Sequence, residues 1–584
     1  MILIYPPVTK CCEPPGGVAL LSGALKAHGF QSEIVDANIE GLLWLARSSS
    51  HSGDAWTQRA VAHFEKNILD LKEDGVYQNH GRYTQRMMDV NRVITTALPE
   101  RFRVTLSDYR DNQLFPVKSR DLFISAENFR ENPFYPYFET VLLQRIENSE
   151  FPWVGLSLCF LSQALTGFAL AGWIRSRFPQ KKIIMGGGLI TSWMSSPQWK
   201  NPFHSLVHRM VKGAGEEILV SLADAFIRNK DGGLNTDTSS PVSVPFPDVP
   251  VPAFDRTDGP GPSVHNRSVD CPAVPVPVVH NSDVHHRPAH CPAWSSAGYL
   301  PDFDFCRWDR YLSPGRVLPY RTSIGCYWGK CRFCPEKAEN SRFRKGNNRE
   351  IMDQLHFLCQ KYRINYVHFL DNALSPSFLK ALTLEKKVPF LWYGFVKFSR
   401  ELADQNFCRQ LYKSGCRMLK LGLESGDQKV LDRMNKGTDL ETASRVLTSL
   451  NNAGISAYVY ILFGTTFENE ASAEKTLSYV AAHSDRIDFL NTAIFNLPRF
   501  SREAQELHTR LFYKGDLSLY TAFKHPDNWD RKRVRQFVDK RFKKTPLIAR
   551  ILRNNPPFFS SSHAVFLGSI HRAASSETSL TAMP

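Results

Sequence analysis

Three cysteines stand close together in the segment GCYWGKCRFCP, at Cys326, Cys331 and Cys334. A structural zinc site takes four ligands. A disulfide would leave one thiol over and is rare in reducing compartments. The C-x4-C-x2-C spacing also fits the start of a plant-type [2Fe–2S] loop, which needs a distant fourth cysteine. The remaining candidate is a [4Fe–4S] cluster that three thiolates hold and whose fourth iron stays open to a small molecule.

Two further residues are candidates for a fourth ligand. Cys359 shares a predicted helical face with Ile351, Leu355 and Leu358, and a small buried thiol is the simpler interpretation there. His368 lies within a predicted strand, so its side chain need not point at the cysteine loop. The residues alone therefore leave zinc, [2Fe–2S] and [4Fe–4S] sites open.

Apolar strands alternate with amphipathic helices from residue 320 onward. The predicted strands cover residues 320–326, 366–372, 390–398, 417–425, 457–464 and 487–496. This alternation predicts a partial (β/α)6 TIM-like barrel within residues 306–500. Polar residues end the strands, on the face where such barrels keep their chemistry. They are Cys326, Asp371, Asn372, Glu424, Ser425 and Asn496.

Residues 1–228 show a similar alternation, with apolar segments such as ILIYPP, SEIVDAN, WVGLSLCF and KIIMGGG. Helical periodicity interrupts the pattern at about residues 45–150 and predicts an insertion there. Buried strands that alternate with helices predict a flavodoxin-like, doubly wound parallel sheet. The predicted fold class is therefore α/β, with such a sheet preceding the barrel.

The composition changes on both sides of the barrel. Residues 229–305 are rich in Pro, Ser and His, which predicts a disordered linker. The His and Cys residues of this linker could bind a metal, but they lack the paired spacing and the strand–turn–helix frame of a zinc site. Residues 501–584 predict a mostly helical C-terminal extension.

The overall composition is that of an ordinary soluble protein, with 584 residues, 42% apolar and 22% charged. The net charge is +15, and the densest basic run covers residues 530–544. Its apolar residues Val534, Phe537, Val538 and Phe542 recur at helical spacing. We interpret the run as an amphipathic helix with a solvated basic face, and we expect no nucleic-acid partner, because no RNA-binding signature accompanies it.

The sequence also bears on location. No segment reaches the roughly 18 consecutive apolar residues of a membrane span. The first residues, MILIYPPVTKCC, predict a buried strand and a loop and lack the features of a secretion signal. Twelve cysteines without an export signal suggest reduced thiols. We therefore expect a cytoplasmic protein without a membrane span.

The cysteine loop and the strands that follow it resemble the radical S-adenosylmethionine (SAM) superfamily. The resemblance rests on CYWGKCRFC, FLDN, GLESG and YILFGTTFE, which occur in that order over about residues 315–500. The first spacer has four residues where the family usually has three. Thr466 stands where relatives have proline, and Ile324 where arginine is expected. By this resemblance the SAM contacts would be Phe333, Asp371, Asn372, Glu424, Ser425, Phe463 and Gly464.

The resemblance implies a chemistry for the open iron. In this superfamily the amino and carboxylate groups of SAM bind it, and an electron from the cluster releases a 5′-deoxyadenosyl radical. Such an enzyme needs an external reductant of the flavodoxin or ferredoxin type. A small-molecule or natural-product substrate is expected, although no residue pattern identifies it.

The N-terminal half contains SLC at residues 157–159, GGG at residues 186–188 and GAGEE at residues 213–217. These segments resemble the fingerprint of the cobalamin-binding domain that many radical SAM enzymes carry. The resemblance implies cobalamin contacts at Ser157, Gly186, Gly187, Gly188, Gly213, Gly215 and Glu216. The D-x-H-x-x-G motif, whose histidine ligates cobalt, is absent, and the corresponding loop reads PPVTKCCEPPGG. We therefore predict that no histidine of this loop is the lower axial ligand, with Cys11 or Cys12 as possible replacements.

Two functional hypotheses follow from the sequence. The first is a cobalamin-dependent radical SAM enzyme that cleaves SAM at a [4Fe–4S] cluster to methylate or rearrange an unactivated carbon. The second is a non-catalytic iron–sulfur electron-transfer protein or a corrinoid-binding sensor. The second hypothesis predicts a cluster with four protein ligands, or a corrinoid bound without SAM turnover.

Overall fold

The computed structural model describes residues 1–48, 53–231, 298–339, 341–385, 388–511, 515–558, 564, 566 and 568. One compact unit consists of Met1–Ala223 and Ser295–Pro584, and a second consists of Asp224–Trp294. Most of the predicted linker, residues 232–297, lies outside the described residues, so its character stays a prediction. No helix within the described residues is long and apolar enough to cross a bilayer.

The N-terminal half mixes short strands with many helices. Its strands are β1 (Ile2–Ile4), β2 (Glu33–Val35), β3 (Phe102–Val104), β4 (Tyr109–Asp111), β5 (Trp153–Ser157), β6 (Lys182–Gly186) and β7 (Arg209–Met210). Its helices are α1 (Gly16–Ala27), α2 (Ala37–Ser48), α3 (Ala55–Ala62), α4 (Phe64–Asp70), α5 (Asp74–Tyr77), α6 (His80–Thr96), α7 (Ser119–Glu127), α8 (Tyr135–Tyr137), α9 (Leu143–Glu147), α10 (Ala164–Arg177), α11 (Gly188–Met194) and α12 (Glu216–Asp231).

Five of these strands form one parallel sheet in the order β2-β1-β5-β6-β7. The order reverses between β1 and β5, which confirms the predicted doubly wound sheet and places a topological switch point there. Helices α3 to α9 and the β3–β4 hairpin lie between β2 and β5 in the chain. The carboxyl ends of β1, β5 and β6 therefore meet at one edge, where ligands of such sheets bind.

The C-terminal half begins with the barrel strands. Its strands are β8 (Val317–Tyr320), β9 (Ser323–Ile324), β10 (Arg344–Lys345), β11 (Tyr366–Phe369), β12 (Leu391–Val396), β13 (Cys416–Glu424), β14 (Ser456–Phe463), β15 (Phe489–Ile494), β16 (Leu497–Pro498), β17 (Thr509–Leu511) and β18 (Tyr520–Phe523). Its helices are α13 (Pro335–Ala338), α14 (Asn348–Tyr362), α15 (Pro376–Leu384), α16 (Gln405–Lys413), α17 (Gln428–Arg433), α18 (Leu440–Ala453), α19 (Glu470–Ala482), α20 (Arg502–Glu506), α21 (Arg531–Gln536) and α22 (Pro546–Arg553).

Six parallel strands form the barrel sheet in the order β15-β14-β13-β12-β11-β8. The first strand differs from the prediction, because β8 ends at Tyr320 and not at Cys326. Beyond it the chain pairs β9 with β10 in an antiparallel hairpin. Cys326 therefore stands in a loop outside the sheet. Cys359 is buried on α14, as its helical pattern predicts.

The C-terminal extension starts with strands. β16, β18 and β17 form a small antiparallel sheet, which the sequence pattern does not reveal. Helix α21 and the π-helical turn Phe537–Phe542 follow and contain the basic run. Val534, Phe537, Val538 and Phe542 are all buried, which confirms the predicted amphipathic helix.

Buried charges join the first loop of the N-terminal sheet to the barrel interior. His368 on β11 lies with its Nδ1 atom 2.9 Å from Glu13 Oε2, and its Nε2 atom lies 2.7 Å from Lys420 Nζ on β13. The ring of His368 stacks on Tyr393 of β12, with centroids 4.5 Å apart. Lys10 also pairs with Glu13. A neutral imidazole satisfies this geometry, because it donates to the carboxylate and accepts from the ammonium group.

The electrostatics of this group agree with that assignment. Burial lowers the pKa of His368 to about 3, although Glu13 opposes the shift. Burial also lowers the pKa of Lys420 to about 7. Burial alone would raise the pKa of Glu13, but His368 and Lys10 outweigh it and lower that pKa. We name Glu13, His368 and Lys420 the buried triad.

The buried triad predicts a pH dependence of stability. The His368 pKa of about 3 lies below its ordinary value of 6.5, so the unfolded chain binds the proton more readily. The free energy of unfolding should therefore fall as pH decreases below about 6.5, by at most about 1.4 kcal/mol per pH unit from this residue. Chemical denaturation between pH 7.5 and pH 5 measures the slope.

The variant His368→Gln tests the origin of this slope. It should be less stable than the wild type at every pH, because Glu13 and Lys420 lose their bridge, and its pH slope should be shallower. His356→Gln, on half-exposed helical surface, is the control and should keep the wild-type slope. A slope unchanged in His368→Gln would contradict the assignment of a neutral buried imidazole.

Close helix packing in the N-terminal half predicts a second effect. A Cβ atom added at Gly172 of α10 would lie 1.8 Å from the carbonyl oxygen of Ala126 on α7. Gly172→Ala should therefore lower the free energy of unfolding by about 1–3 kcal/mol, because the two helices must separate. Gly17→Ala is the matched control, since no atom lies within 4 Å of its added Cβ. Equal thermal midpoints for the two variants would refute this packing.

Candidate functional site

The three cysteines lie in the loop between β9 and α13, and all three are half-buried free thiols. Gly325, just before Cys326, has a positive φ of 73°. A Cβ atom on Gly325 would lie 2.8 Å from the carbonyl oxygen of Arg342, so only glycine fits here. The return strand of the hairpin thereby fixes where the cysteine loop begins.

The thiols are held in place but are not arranged around a single ion. Among the described residues no group of three or more His, Cys, Asp or Glu side chains has that arrangement. An iron–sulfur cube separates its thiolates more widely than one ion does, because iron and sulfide lie between them. Burial raises the pKa of Cys334 to about 11, and it also raises the pKa of Cys331. Such thiols ionise readily only when a metal centre takes them.

The longer first spacer of the cysteine loop has a structural role. It contains Trp328, whose indole N–H donates to the carbonyl oxygen of Asn435 at 3.0 Å. The indole ring lies against Gly437, where an added Cβ would be 2.2 Å from the ring and φ is 61°. The amide of Arg332 donates to Met434 in the same loop. The four-residue spacer therefore anchors the cysteine loop on residues 434–437.

Two lysines lie beside the cysteine loop: Lys397 directly after β12, and Lys436 within residues 434–437. Lys397 Nζ lies 4.5 Å from the Trp328 ring centroid and donates to the carbonyl oxygen of Gly437. Burial lowers the Lys397 pKa to about 8, with Lys436 adding to the shift. Lys436 instead pairs with Glu424 at 2.7 Å. Burial would lower the Lys436 pKa, but the charge of Glu424 outweighs it and raises that pKa.

Two of the SAM contacts implied by resemblance lie beside the cysteine loop. The Phe333 ring lies 5.5 Å from Lys436 Nζ. Glu424 ends β13 with a positive φ of 66° and forms the ion pair with Lys436. Asn372 is exposed just after β11. These three residues stay proposed contacts.

The other four implied SAM contacts form hydrogen bonds or packing contacts with other parts of the protein. Asp371 is buried and accepts from the amide and the hydroxyl of Thr322 at 2.9 and 2.8 Å. Ser425 is buried against Thr476 on α19. Phe463 packs against Phe542, on the outer side of the barrel. The amide of Gly464 donates to the buried carboxylate of Glu468. We infer that these residues support the loops around the site through contacts within the protein.

The implied cobalamin residues gather at the carboxyl edge of the N-terminal sheet. Ser157 ends β5, and Gly186 ends β6. Gly187 has a φ of 105°, and an added Cβ would lie 2.4 Å from Leu158 O, so the fold itself requires this glycine. At Gly186 and Gly188 an added Cβ would meet only ordinary contacts at 3.6 Å. The protein's own packing does not explain these two glycines, whereas a ligand that approaches the backbone would.

The remaining implied cobalamin residues lie nearby. The amide of Gly213 donates to Thr191 of α11 at 3.0 Å, and an added Cβ at Gly215 would meet Leu21 at 3.3 Å. Glu216 begins α12, and its Oε2 atom is buried without a hydrogen-bond partner among the described residues. A buried polar atom of this kind calls for an additional ligand or water. The site therefore fits a polar cofactor tail.

The proposed lower ligands are not placed for that role. Cys11 and Cys12 are buried in the hydrophobic core of the N-terminal half, at 1% and 2% exposure. Cys11 Sγ faces Leu106 O of the helical insertion at 3.9 Å. The first loop instead directs Glu13 into the barrel.

Two interactions join the cysteine segment and its flanking residues to the glycine edge. Burial raises the pKa of Glu339, which follows α13, and the nearby side chain of Ser192 on α11 opposes that shift. Arg321 Nη2 lies 3.9 Å from Glu216 Oε1. Sequence reasoning missed Trp328 and the charged residues Glu13, Lys397, Lys420 and Lys436. The detectable signal was a lone lysine within an apolar strand, as in FVKF and MLKLGLE.

Comparisons with known proteins agree with the barrel assignment. The family model of the radical SAM superfamily matches residues 320–480. The anaerobic magnesium-protoporphyrin IX monomethyl ester cyclase of Rubrivivax gelatinosus is 23% identical over 254 residues, which cover 42% of this chain and 45% of that protein. The bacteriochlorophyllide d C-12(1)-methyltransferase of Chlorobaculum tepidum is 24% identical over 197 residues, covering 32% and 42%. The chain thus spans less than half the length of these relatives.

A solved structure is also similar to the chain. The radical S-adenosylmethionine methyltransferase TsrM from Kitasatospora setae, with cobalamin and a [4Fe–4S] cluster bound, has a TM-score of 0.47 and 16% identity, covering 87% of this chain and 77% of that one. The family match covers the segment that contains the three cysteines and four of the six barrel strands, β11 to β14. Residues 320–480 are thus the part of the chain that is similar to the radical SAM superfamily.

Proposed function

We propose that the protein is a cobalamin-dependent radical SAM enzyme. The observation that carries this proposal is the anchored loop of Cys326, Cys331 and Cys334 within the matched radical SAM segment. When bound, a [4Fe–4S] cluster would supply the electron that cleaves SAM into methionine and a 5′-deoxyadenosyl radical. The radical would activate an otherwise unreactive carbon for methylation or rearrangement.

The protein's own residues would hold and orient these groups. The three thiolates would hold three irons, and Trp328 keeps their loop against residues 434–437. Phe333 and the Lys436–Glu424 pair form the polar and aromatic wall beside that loop. Because a carboxylate and an ammonium group are both present there, the wall can contact the amino and the carboxylate groups of SAM.

Cobalamin is the proposed second cofactor. Gly186 and Gly188 leave room beside the backbone at the carboxyl edge of the sheet, and Glu216 nearby has a buried carboxylate oxygen without a hydrogen-bond partner among the described residues. Close backbone approach of a polar tail is the usual reason for glycines at this position. The substrate would be a small molecule or natural product, and the electron would come from an external flavodoxin- or ferredoxin-type reductant.

Loss of any cluster cysteine should abolish SAM cleavage. After anaerobic reconstitution with iron, sulfide and reductant, the wild type should convert SAM to 5′-deoxyadenosine. Cys326→Ala, Cys331→Ala and Cys334→Ala should fall to background, because three thiolates are the minimum that holds the cube. Chromatography of the nucleoside and iron analysis measure both effects.

Cys306→Ala is the control, since Cys306 is a half-buried thiol outside the loop. It should keep cluster and activity. A wild-type protein that binds a cluster but never forms the nucleoside would instead favour the electron-transfer hypothesis. Cobalamin bound without any SAM turnover would favour the sensor hypothesis.

Cobalamin loading should depend on the glycine edge. Gly188→Ala adds a Cβ that the fold accommodates but that projects toward the proposed cofactor. Its thermal midpoint should match the wild type, while cobalamin retained after gel filtration, read from visible absorbance, should drop at least severalfold. Gly75→Ala, also in open space, is the control. Full loading of Gly188→Ala would rule out cobalamin at this edge.

A further inference from the structure

We propose that Trp328 and Lys397 form a charged clamp that raises the reduction potential of the cluster held by Cys326, Cys331 and Cys334. The inference rests on the proposed function only in taking those thiolates as cluster ligands. The clamp adds no bond and moves no proton. The cluster accepts one electron from the external flavodoxin- or ferredoxin-type donor.

The first half of the clamp is the fixed indole. Trp328 lies between Cys326 and Cys331 in the chain. The hydrogen bond from its indole N–H to the carbonyl oxygen of Asn435 fixes the plane of the ring. The ring fits only because position 437 is a glycine. Lys330 Nζ lies 4.9 Å from the centroid of the same ring. The indole is therefore a rigid platform for cations beside two cluster cysteines.

The second half is the ammonium group of Lys397. This residue follows β12, its Nζ atom lies 4.5 Å from the indole centroid, and it also donates to Gly437. No ion pair neutralises Lys397 among the described residues. Because Trp328 lies between Cys326 and Cys331 in the chain, the contact with its ring places the ammonium group of Lys397 beside the loop that contains the cluster cysteines.

The neighbouring lysines differ in how far a carboxylate or the solvent offsets their positive charge. Lys436 is paired with Glu424, so this pair contributes little net charge. Lys330 is exposed to solvent, where water and salt screen its charge. Lys397 is half-buried and lacks a carboxylate partner, so its field is screened less. It is therefore the cation that acts most strongly on the cluster.

The direction of the effect follows from charge. Reduction adds one negative charge to a cluster that three thiolates already make anionic. A nearby uncompensated cation stabilises the reduced form more than the oxidised form, and cluster potentials depend on such local charge. Removal of the Lys397 charge should therefore make the cluster harder to reduce.

Potentiometric titration of the reconstituted full-length protein tests this inference. The midpoint potential is read from the electron paramagnetic resonance signal of the reduced cluster. Lys397→Met should shift the midpoint to a more negative value, whereas Lys397→Arg, which keeps the charge, should stay near the wild type. Trp328→Leu should shift it in the same direction as Lys397→Met, because the ammonium group loses its platform. Lys413→Met, an exposed lysine at the end of α16, is the control and should not shift.

The outcomes separate this inference from the proposed function. If wild-type protein assembles no [4Fe–4S] cluster, the proposed function and the clamp both fail. If wild type and Lys397→Met assemble equal clusters with the same midpoint, the clamp is refuted while the proposed function stands. Should Lys397→Met lose its fold, the shorter and uncharged Lys397→Gln replaces it, and an unchanged midpoint there refutes the clamp equally.

Discussion

The structure depends on one buried interaction, in which the imidazole of His368 joins Glu13 and Lys420. Breaking a buried ionic group by removing one partner is strongly destabilising, since the remaining charge is left without water. The first loop of the N-terminal sheet therefore cannot leave the barrel without exposing or stranding a charge. This constraint fixes the carboxyl edge of the sheet relative to the barrel mouth, and both proposed cofactor sites lie along that boundary.

Two further interactions join the N-terminal half to the C-terminal half. Glu339 of the cysteine segment lies near enough to Ser192, beside the glycine edge, for Ser192 to lower its pKa against the effect of burial, and Arg321 approaches Glu216. Contacts from both halves thus meet between the proposed SAM and cobalamin sites. These contacts would hold the two proposed cofactor sites in fixed positions, as a reaction between bound groups requires, because reacting groups must be held close and oriented.

The periodic part of this architecture could be predicted from the sequence. Strand and helix periods indicated both sheets, and the spacing of Cys326, Cys331 and Cys334 indicated the cluster loop. The direction of polar side chains at strand ends could not be predicted, because a shift of one residue turns a side chain to the other face. Ser425 therefore faces a helix while Glu424 faces the loop. The Glu13–His368 contact joins residues 355 positions apart, which no local pattern encodes.

The central claim is that three thiolates hold a cluster whose fourth iron binds SAM. Mössbauer spectroscopy of protein reconstituted with isotopically enriched iron tests it most directly, since the method reports each iron environment separately. The account predicts that added SAM changes the signal of one iron in four and leaves the other three as they were. A spectrum in which all four irons stay unchanged on addition of SAM would contradict the account.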